Sequence, residues 1–98
     1  MAVSKAKFVI VRTCSAGVHF GTLASRKGKE VVLKNARRAW YWKGAASLSQ
    51  MAASGVNCPN DCKFSVPVSE ILLTEAIEVI ACSPAAKKNL TGVPEWKM

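Results

Sequence analysis

Residues 7–42 read KFVIVRTCSAGVHFGTLASRKGKEVVLKNARRAWYW, and this stretch decides the fold. Lys7 to Thr13 is rich in β-branched and aromatic residues, which suit a pleated, half-buried surface and predict a strand. Ser15-Ala16-Gly17 breaks the run, and residues 18–25 resume it. Arg26-Lys27-Gly28-Lys29 reads as a hairpin tip, with Gly28 at the position that needs positive φ. Residues 30–34 return as the partner strand, Asn35-Ala36 marks a bulge or turn, and residues 37–42 continue as a further strand. Three or four strands joined by short connections make an antiparallel meander.

Outward from that core, Gly44 ends the strand run. Residues 47–54 predict a short helix. The Ser47 hydroxyl can accept from a free N–H of the first turn, and Gly55 suits the left-handed closing position. Pro59, Asn60 and Asp61 mark a loop. Residues 63–68 read as extended, with Pro67 confining that stretch to an edge or a strand end. Residues 69–82 mix strand and helix signals. Isoleucine and valine at 77, 79 and 80 decide for strands at 71–74 and 76–81. Ser83-Pro84 opens a last helix, because proline at the first helical position forfeits no hydrogen bond. That helix stops near Gly92, and Trp96 follows in a tail that packs back on the domain or on a neighbouring chain. The expected fold class is α+β, mostly antiparallel sheet in a meander of four to six strands. Two short helices lie at about 47–54 and 84–91, in a single domain over 1–98.

The 98 residues are 50% apolar, which argues against disorder. No apolar run approaches the roughly 18 residues of a membrane span. The N-terminal residues show no signal-peptide core, so a cytoplasmic protein is expected. The charge is unevenly placed. Residues 1–49 carry ten Lys/Arg against one acid, Glu30, and so +9, whereas residues 50–98 carry four against five, and so −1. Separated signs create a positive field over one region, which concentrates anionic ligands.

Catalytic sets are scarce. His19 is the single histidine, and no nucleophile elbow or phosphate-binding glycine loop is present. Cys14 with His19 is the one conceivable nucleophile–base pair. Glu70, Glu75 and Glu78 read as solvated charges. Cys58 and Cys62 have a spacing that could hold a metal or close a disulfide. The other donors are isolated, however, and a cytosolic chain favours free thiols. No metal, cofactor or catalytic residue is expected.

Binding is better supported. Residues 34–43, KNARRAWYWK, hold four cations and three aromatics in ten positions. Arginine forks match phosphate oxygens, and aromatic faces stack on bases. On a strand, alternate residues share a face. Arg38, Trp40 and Trp42 then lie on one side, and Arg37, Ala39 and Tyr41 on the other; one side must be core. Ser15, Gly17, His19 and Gly21 place small and polar groups between two strands, where a ligand or another backbone can approach. Lys87, Lys88 and Asn89 lie early on the last helix, near an end that favours anions. The candidate ligand-binding residues are Arg12, His19, Arg37, Arg38, Trp40, Tyr41, Lys43, Lys88 and Asn89.

Five strings carry a resemblance. They are Arg12-Thr13-x-Ser15-Ala16-Gly17-Val18-His19, Gly28-Lys29-Glu30-Val31, Asn35-Ala36-Arg37-Arg38-x-Trp40-Tyr41-Trp42, Gly44-Ala45-Ala46-Ser47-Leu48-Ser49-Gln50 and Leu73-Thr74-Glu75-Ala76-Ile77-Glu78. Together they resemble a family of small phage- and prophage-encoded proteins of unknown function. That family is in turn similar to the anti-Thoeris sponges, which sequester cyclic ADP-ribose isomers and, in some members, cyclic oligonucleotides. The resemblance implies a homo-oligomer that holds a small anionic nucleotide without turnover, as a counter-defence protein. The short C-terminus, with its single helix, departs from those proteins. The alternatives are a nucleic-acid-binding protein and an inhibitor docking on an acidic face of a host protein.

Overall fold

Gly28 opens a two-residue turn with φ 59°, and Lys29 completes it with negative φ, the order of a type II′ hairpin. The computed structural model describes residues 7–14, 17–45 and 47–96. The hairpin joins β2 (Val18–Lys27) to β3 (Glu30–Tyr41); β1 (Phe8–Thr13) precedes them. Then come α1 (Leu48–Ser54), a 3-10 turn at Pro59–Asp61, β4 (Lys63–Phe64), β5 (Val68–Leu73), β6 (Ala76–Ala81) and α2 (Pro84–Thr91). The architecture is a six-stranded antiparallel sheet with two helices, mostly sheet, as expected.

Both helices are capped as their sequences dictate. Ser47 Oγ accepts from the Gln50 amide at 3.2 Å, and Ser83 Oγ from the Ala86 amide at 3.0 Å. Residues 30–34 and 37–42, read as two strands, form one. Asn35 takes φ 52° and is absorbed as a bulge, so the hydrogen-bond ladder continues past it.

Only β1, β2 and β3 follow a simple meander. Both β4 and β5 pair with the same edge of β3, and β6 crosses back to β1. Every one of these pairings is antiparallel. Stepping from β5 through β3, β2 and β1 to β6 therefore leaves β5 and β6 running the same way. Only Thr74 and Glu75 separate them. Residues 68–81 are thus one bent strand that binds first the edge of β3 and then the edge of β1. Its corner is fixed where the Ala76 amide donates to Lys29 O and the Cys14 amide to Glu75 O, both at 3.0 Å.

This closing strand rolls the sheet. Val9 and Val11 of β1, Val31, Leu33 and Ala36 of β3, and Leu73 of β5 meet in one interior cluster. The opposite face carries Phe8, Ile10, Phe20, Ala39 and Phe64. The helices cover it with Met51, Ala52 and Leu90.

Rolling needs bends, and two register shifts in the β2–β3 ladder supply them, between Phe20 and Thr22 and between Leu23 and Ser25. Gly21 sits inside the first. A Cβ there would lie 3.0 Å from both Ala36 Cα and Lys34 O. The space that glycine leaves is filled by the β3 bulge, not by a ligand. Gly21→Val is expected to lower stability by about 1–3 kcal/mol, as overpacking does. Urea unfolding checks this, and an unchanged midpoint would show that the bulge yields freely.

Candidate functional site

Along one edge of β3 the two partner strands leave a gap. β5 pairs as far as Ala36, and β4 takes over at Ala39. Ser65–Pro67 bridges the interval. The Ser65 amide donates to Arg38 O at 2.9 Å, and Ser65 Oγ accepts from the Arg38 amide at 2.8 Å. Behind this gap lies a cavity of about 350 Å³, lined by His19, Ala36, Arg37, Arg38, Trp40, Ser65, Val66, Val68 and Ile71. That volume is at the small end of ligand pockets.

Strand parity sends the two arginines to opposite faces. Arg37 points toward the helices and is 5% exposed. Its Nε donates to Ser65 O at 2.8 Å, and Nη1 to Leu90 O at 3.1 Å and Val93 O at 2.9 Å. Nη2 reaches Phe64 O and Pro94 O at 3.5 and 3.4 Å. The Phe20 and Phe64 rings lie beneath the guanidinium at 6.0 and 5.6 Å. Burial lowers its pKa, and nearby Glu95 raises it again. Arg37 therefore ties three chain segments together, and its donors are not offered to a ligand.

Arg38 lies on the rolled face. Its Nε donates to His19 Nε2 at 3.0 Å, and its guanidinium carbon sits 5.5 Å over the Trp40 ring. No carboxylate pairs with it among the described residues; Arg12, by contrast, is paired with Glu78 at 3.5 Å. His19 is 1% exposed, and its Nδ1 has no partner. Burial and, second, the Arg38 charge push its pKa down to about 4. The ring is neutral at pH 7. Its lone pair on Nε2 is taken by Arg38, which leaves the proton on Nδ1. With no free lone pair, His19 cannot serve as a base for Cys14.

Trp40 is 59% exposed at the cavity mouth, and Trp96, 44% exposed, meets it edge to face with 6.5 Å between centroids. Trp96 does pack back on the domain. Its amide donates to Phe64 O at 2.8 Å, and Lys63 Nζ lies 5.4 Å over its ring.

The structure thus brings His19, Arg37, Arg38 and Trp40 together, with Arg37 as scaffold. The other expected residues lie elsewhere. Arg12 is paired with Glu78 on the outer side of β1 and β6. Tyr41 and Lys43 are exposed but do not line the cavity. A register shift between Ala39 and Tyr41 breaks the alternation, so Trp42 packs on the helix-side core instead of beside Trp40. Lys88 stands in the last turn of α2, not near its start. The carbonyl end of a helix repels anions. Asn89 is committed to Val56, accepting from its amide at 2.8 Å and donating to its carbonyl at 3.0 Å. Ser15 lies outside the described residues. Sequence reasoning missed Ser65, Trp96 and Lys63, which reach the site through pairings distant in the chain.

All four cysteines are free thiols: Cys62 is buried, Cys58 and Cys82 half-buried and Cys14 exposed. Cys62 Sγ accepts from the Lys43 amide at 3.4 Å and donates to Cys58 O at 3.4 Å, which uses it structurally. Burial raises the Cys82 thiol to about 11, so it stays protonated. Among the described residues no three His, Cys, Asp or Glu side chains converge on a metal site, and no helix is long and apolar enough to cross a membrane.

Residues 6–90 match a family described as Domain of unknown function (DUF6948), and the chain belongs to that family. No curated protein and no solved structure matches it.

Two outcomes follow from the opposed roles of these side chains. Arg37→Ala removes five hydrogen bonds to carbonyls, of which Phe64 O keeps the Trp96 amide and Leu90 O the Val93 amide, and is expected to cost about 3–5 kcal/mol, the scale for breaking a buried charged network; chemical denaturation measures it. The neutral His19 makes stability pH-dependent. Its folded pKa lies below the unfolded 6.5. The stabilisation is therefore complete above pH 6.5 and is lost as pH falls toward about 4. Thermal melts over this window should show that loss, and a His19→Gln variant should lack it.

Proposed function

We propose that the protein is a binding protein that sequesters a small anionic nucleotide at the cavity of His19, Arg38 and Trp40, without turning it over. The observation that carries this reading is the state of Arg38. Its guanidinium is held between a neutral imidazole and an indole face, with no carboxylate to cancel its charge. A cation already fixed in place loses little freedom on binding an anion. Its terminal nitrogens, which have no partner among the described residues, match a phosphate edge two at a time. Trp40 beside it provides a face on which a base or similar ring stacks. The uneven charge of the chain adds a positive field that draws such ligands in.

A binding role also agrees with the chemistry of the ionisable groups. A histidine held near pKa 4 is a weak base at neutral pH, and a thiol at 11 is a weak nucleophile. The resemblance to phage-encoded sponges extends the reading to counter-defence. The protein would then withhold a nucleotide immune signal, such as a cyclic ADP-ribose isomer or a cyclic oligonucleotide, in the cytoplasm of an infected bacterial host. It would work as a homo-oligomer. A nucleic-acid partner is the second reading, favoured by the run of rings and cations beyond the cavity mouth.

Calorimetric titration with nucleotides, set beside mass spectrometry of small molecules released by denaturing protein purified from cells with active nucleotide signalling, tests the proposal. The expected result is binding of a nucleotide that is recovered intact. Arg38→Gln should weaken it by about tenfold to a hundredfold, the scale of a hydrogen bond to a charged group, with an unchanged melting temperature. Binding should fall only gently with salt, since few phosphates are engaged; a steep fall would point to nucleic acid. A released ligand that comes back hydrolysed, or no nucleotide binding at all, would refute the proposal.

A further inference from the structure

We infer that the site contains a second subsite, formed by Trp96 and Lys63, and that its ligand is built of two nucleotide units. This rests on the reading of Arg38 and Trp40 as the first subsite. Four side chains form a continuous series. Arg38 lies 5.5 Å from the Trp40 ring, Trp40 lies 6.5 Å from Trp96, and Trp96 lies 5.4 Å from Lys63 Nζ. Each half repeats the same pair, one cation over one indole. A nucleotide repeats the matching pair, one phosphate and one base.

The second half is placed by construction and not by chance contact. Lys63 is fixed in β4 opposite Tyr41. Glu95 bridges to Phe64 in the next register position, and the Trp96 amide donates to Phe64 O. The carbonyls of Val93 and Pro94, just before, are held by Arg37. Trp96 nevertheless keeps 44% of its surface open, and Trp40 keeps 59%. Two large rings left exposed side by side, each under a cation, carry a cost in water that a stacked ligand would remove.

The angle between the rings limits the ligand. Their planes meet at 65°, so no single flat ring can stack on both. A mononucleotide can therefore use one indole only. Two bases joined by one flexible phosphodiester can turn between them and use both. The cations at the two ends of the series then face the two anionic groups.

The test compares the common nucleoside 5′-monophosphates with the corresponding 5′-phosphorylated homodinucleotides by calorimetry, on wild-type protein and on Trp96→Ala and Lys63→Gln. Both substitutions are at exposed positions outside the core. At least one dinucleotide should bind wild type about tenfold or more tighter than its mononucleotide, the scale of one stacked base. Trp96→Ala should close that gap, and Lys63→Gln should narrow it. Equal affinity of wild type for mono- and dinucleotides would overturn the second subsite while the Arg38 site stands. A preference that survives Trp96→Ala would overturn it as well. Loss of all nucleotide binding would remove the first subsite and the second with it. A longer single strand binding far more tightly than any dinucleotide would overturn the two-unit limit.

Discussion

The Arg37 guanidinium is buried among five carbonyl oxygens drawn from three stretches of chain, at 64–65, at 90 and at 93–94. A charge without partners in that position would cost several kcal/mol. Here two of the oxygens belong to the end of α2 and the turn after it, where free carbonyls gather and the helix dipole is negative. The cation satisfies them, and they satisfy the cation. Two of these stretches lead to the site: Ser65 lines the cavity beside the gap in β3, and residues 93 and 94 run directly into Trp96. This fork adds a second tie between the cavity wall and the outer indole, beside the Trp96 amide that donates to Phe64 O.

Arg38, one residue on, does the opposite job because a strand alternates its faces. Arg37 enters the helix-side core with Ala39, and Arg38 emerges on the rolled face with Trp40. The bulge at Asn35 sets this parity. One residue fewer between Lys34 and Arg37 would exchange the two arginines, placing the clamp in solvent and the receptor in the core. Gly21 makes the bulge possible, because a side chain there would strike Lys34 and Ala36. Local backbone geometry at 21 and 35 thus determines which cation is available to a ligand.

Much of this was legible in the chain. The helices, their serine caps, the Gly28 turn, the bulge and the strand at 76–81 all follow from local chemistry, and local chemistry survives folding. Strand alternation likewise says that one arginine of the pair is core. Which one is core depends on what packs over each face, and that is decided by α2, far along the chain. The register shift near Trp40 is equally non-local: it arises where β4 pairs, and it separates Trp42 from Trp40. Lys88 and Asn89 misled although the helix start at Pro84 was legible, because α2 has only eight residues and positions a turn beyond Pro84 already belong to its carbonyl end. Lys63, Ser65 and Trp96 carry no signal of their own. Lys63 and Ser65 reach the site because β4 and the residue after it pair with β3, and Trp96 because the bridge from Glu95 to Phe64 folds the tail against β4.

The partner chosen for Arg38 explains why its charge remains usable. A carboxylate at position 19 would hold the guanidinium more strongly and would also neutralise it, leaving little attraction for a second anion. A neutral imidazole orients the fork through one nitrogen and cancels none of the charge. The requirement is that the imidazole stay neutral, and burial secures it: with a pKa near 4, His19 accepts from Arg38 throughout the physiological range. The opposing cost is the Nδ1 proton, buried without a partner. An unsatisfied donor of this kind costs on the order of 1–3 kcal/mol. Because Nδ1 is sealed from solvent, it carries this cost without serving a ligand, and the donors that the proposed reading offers to acceptor oxygens are the terminal nitrogens of Arg38.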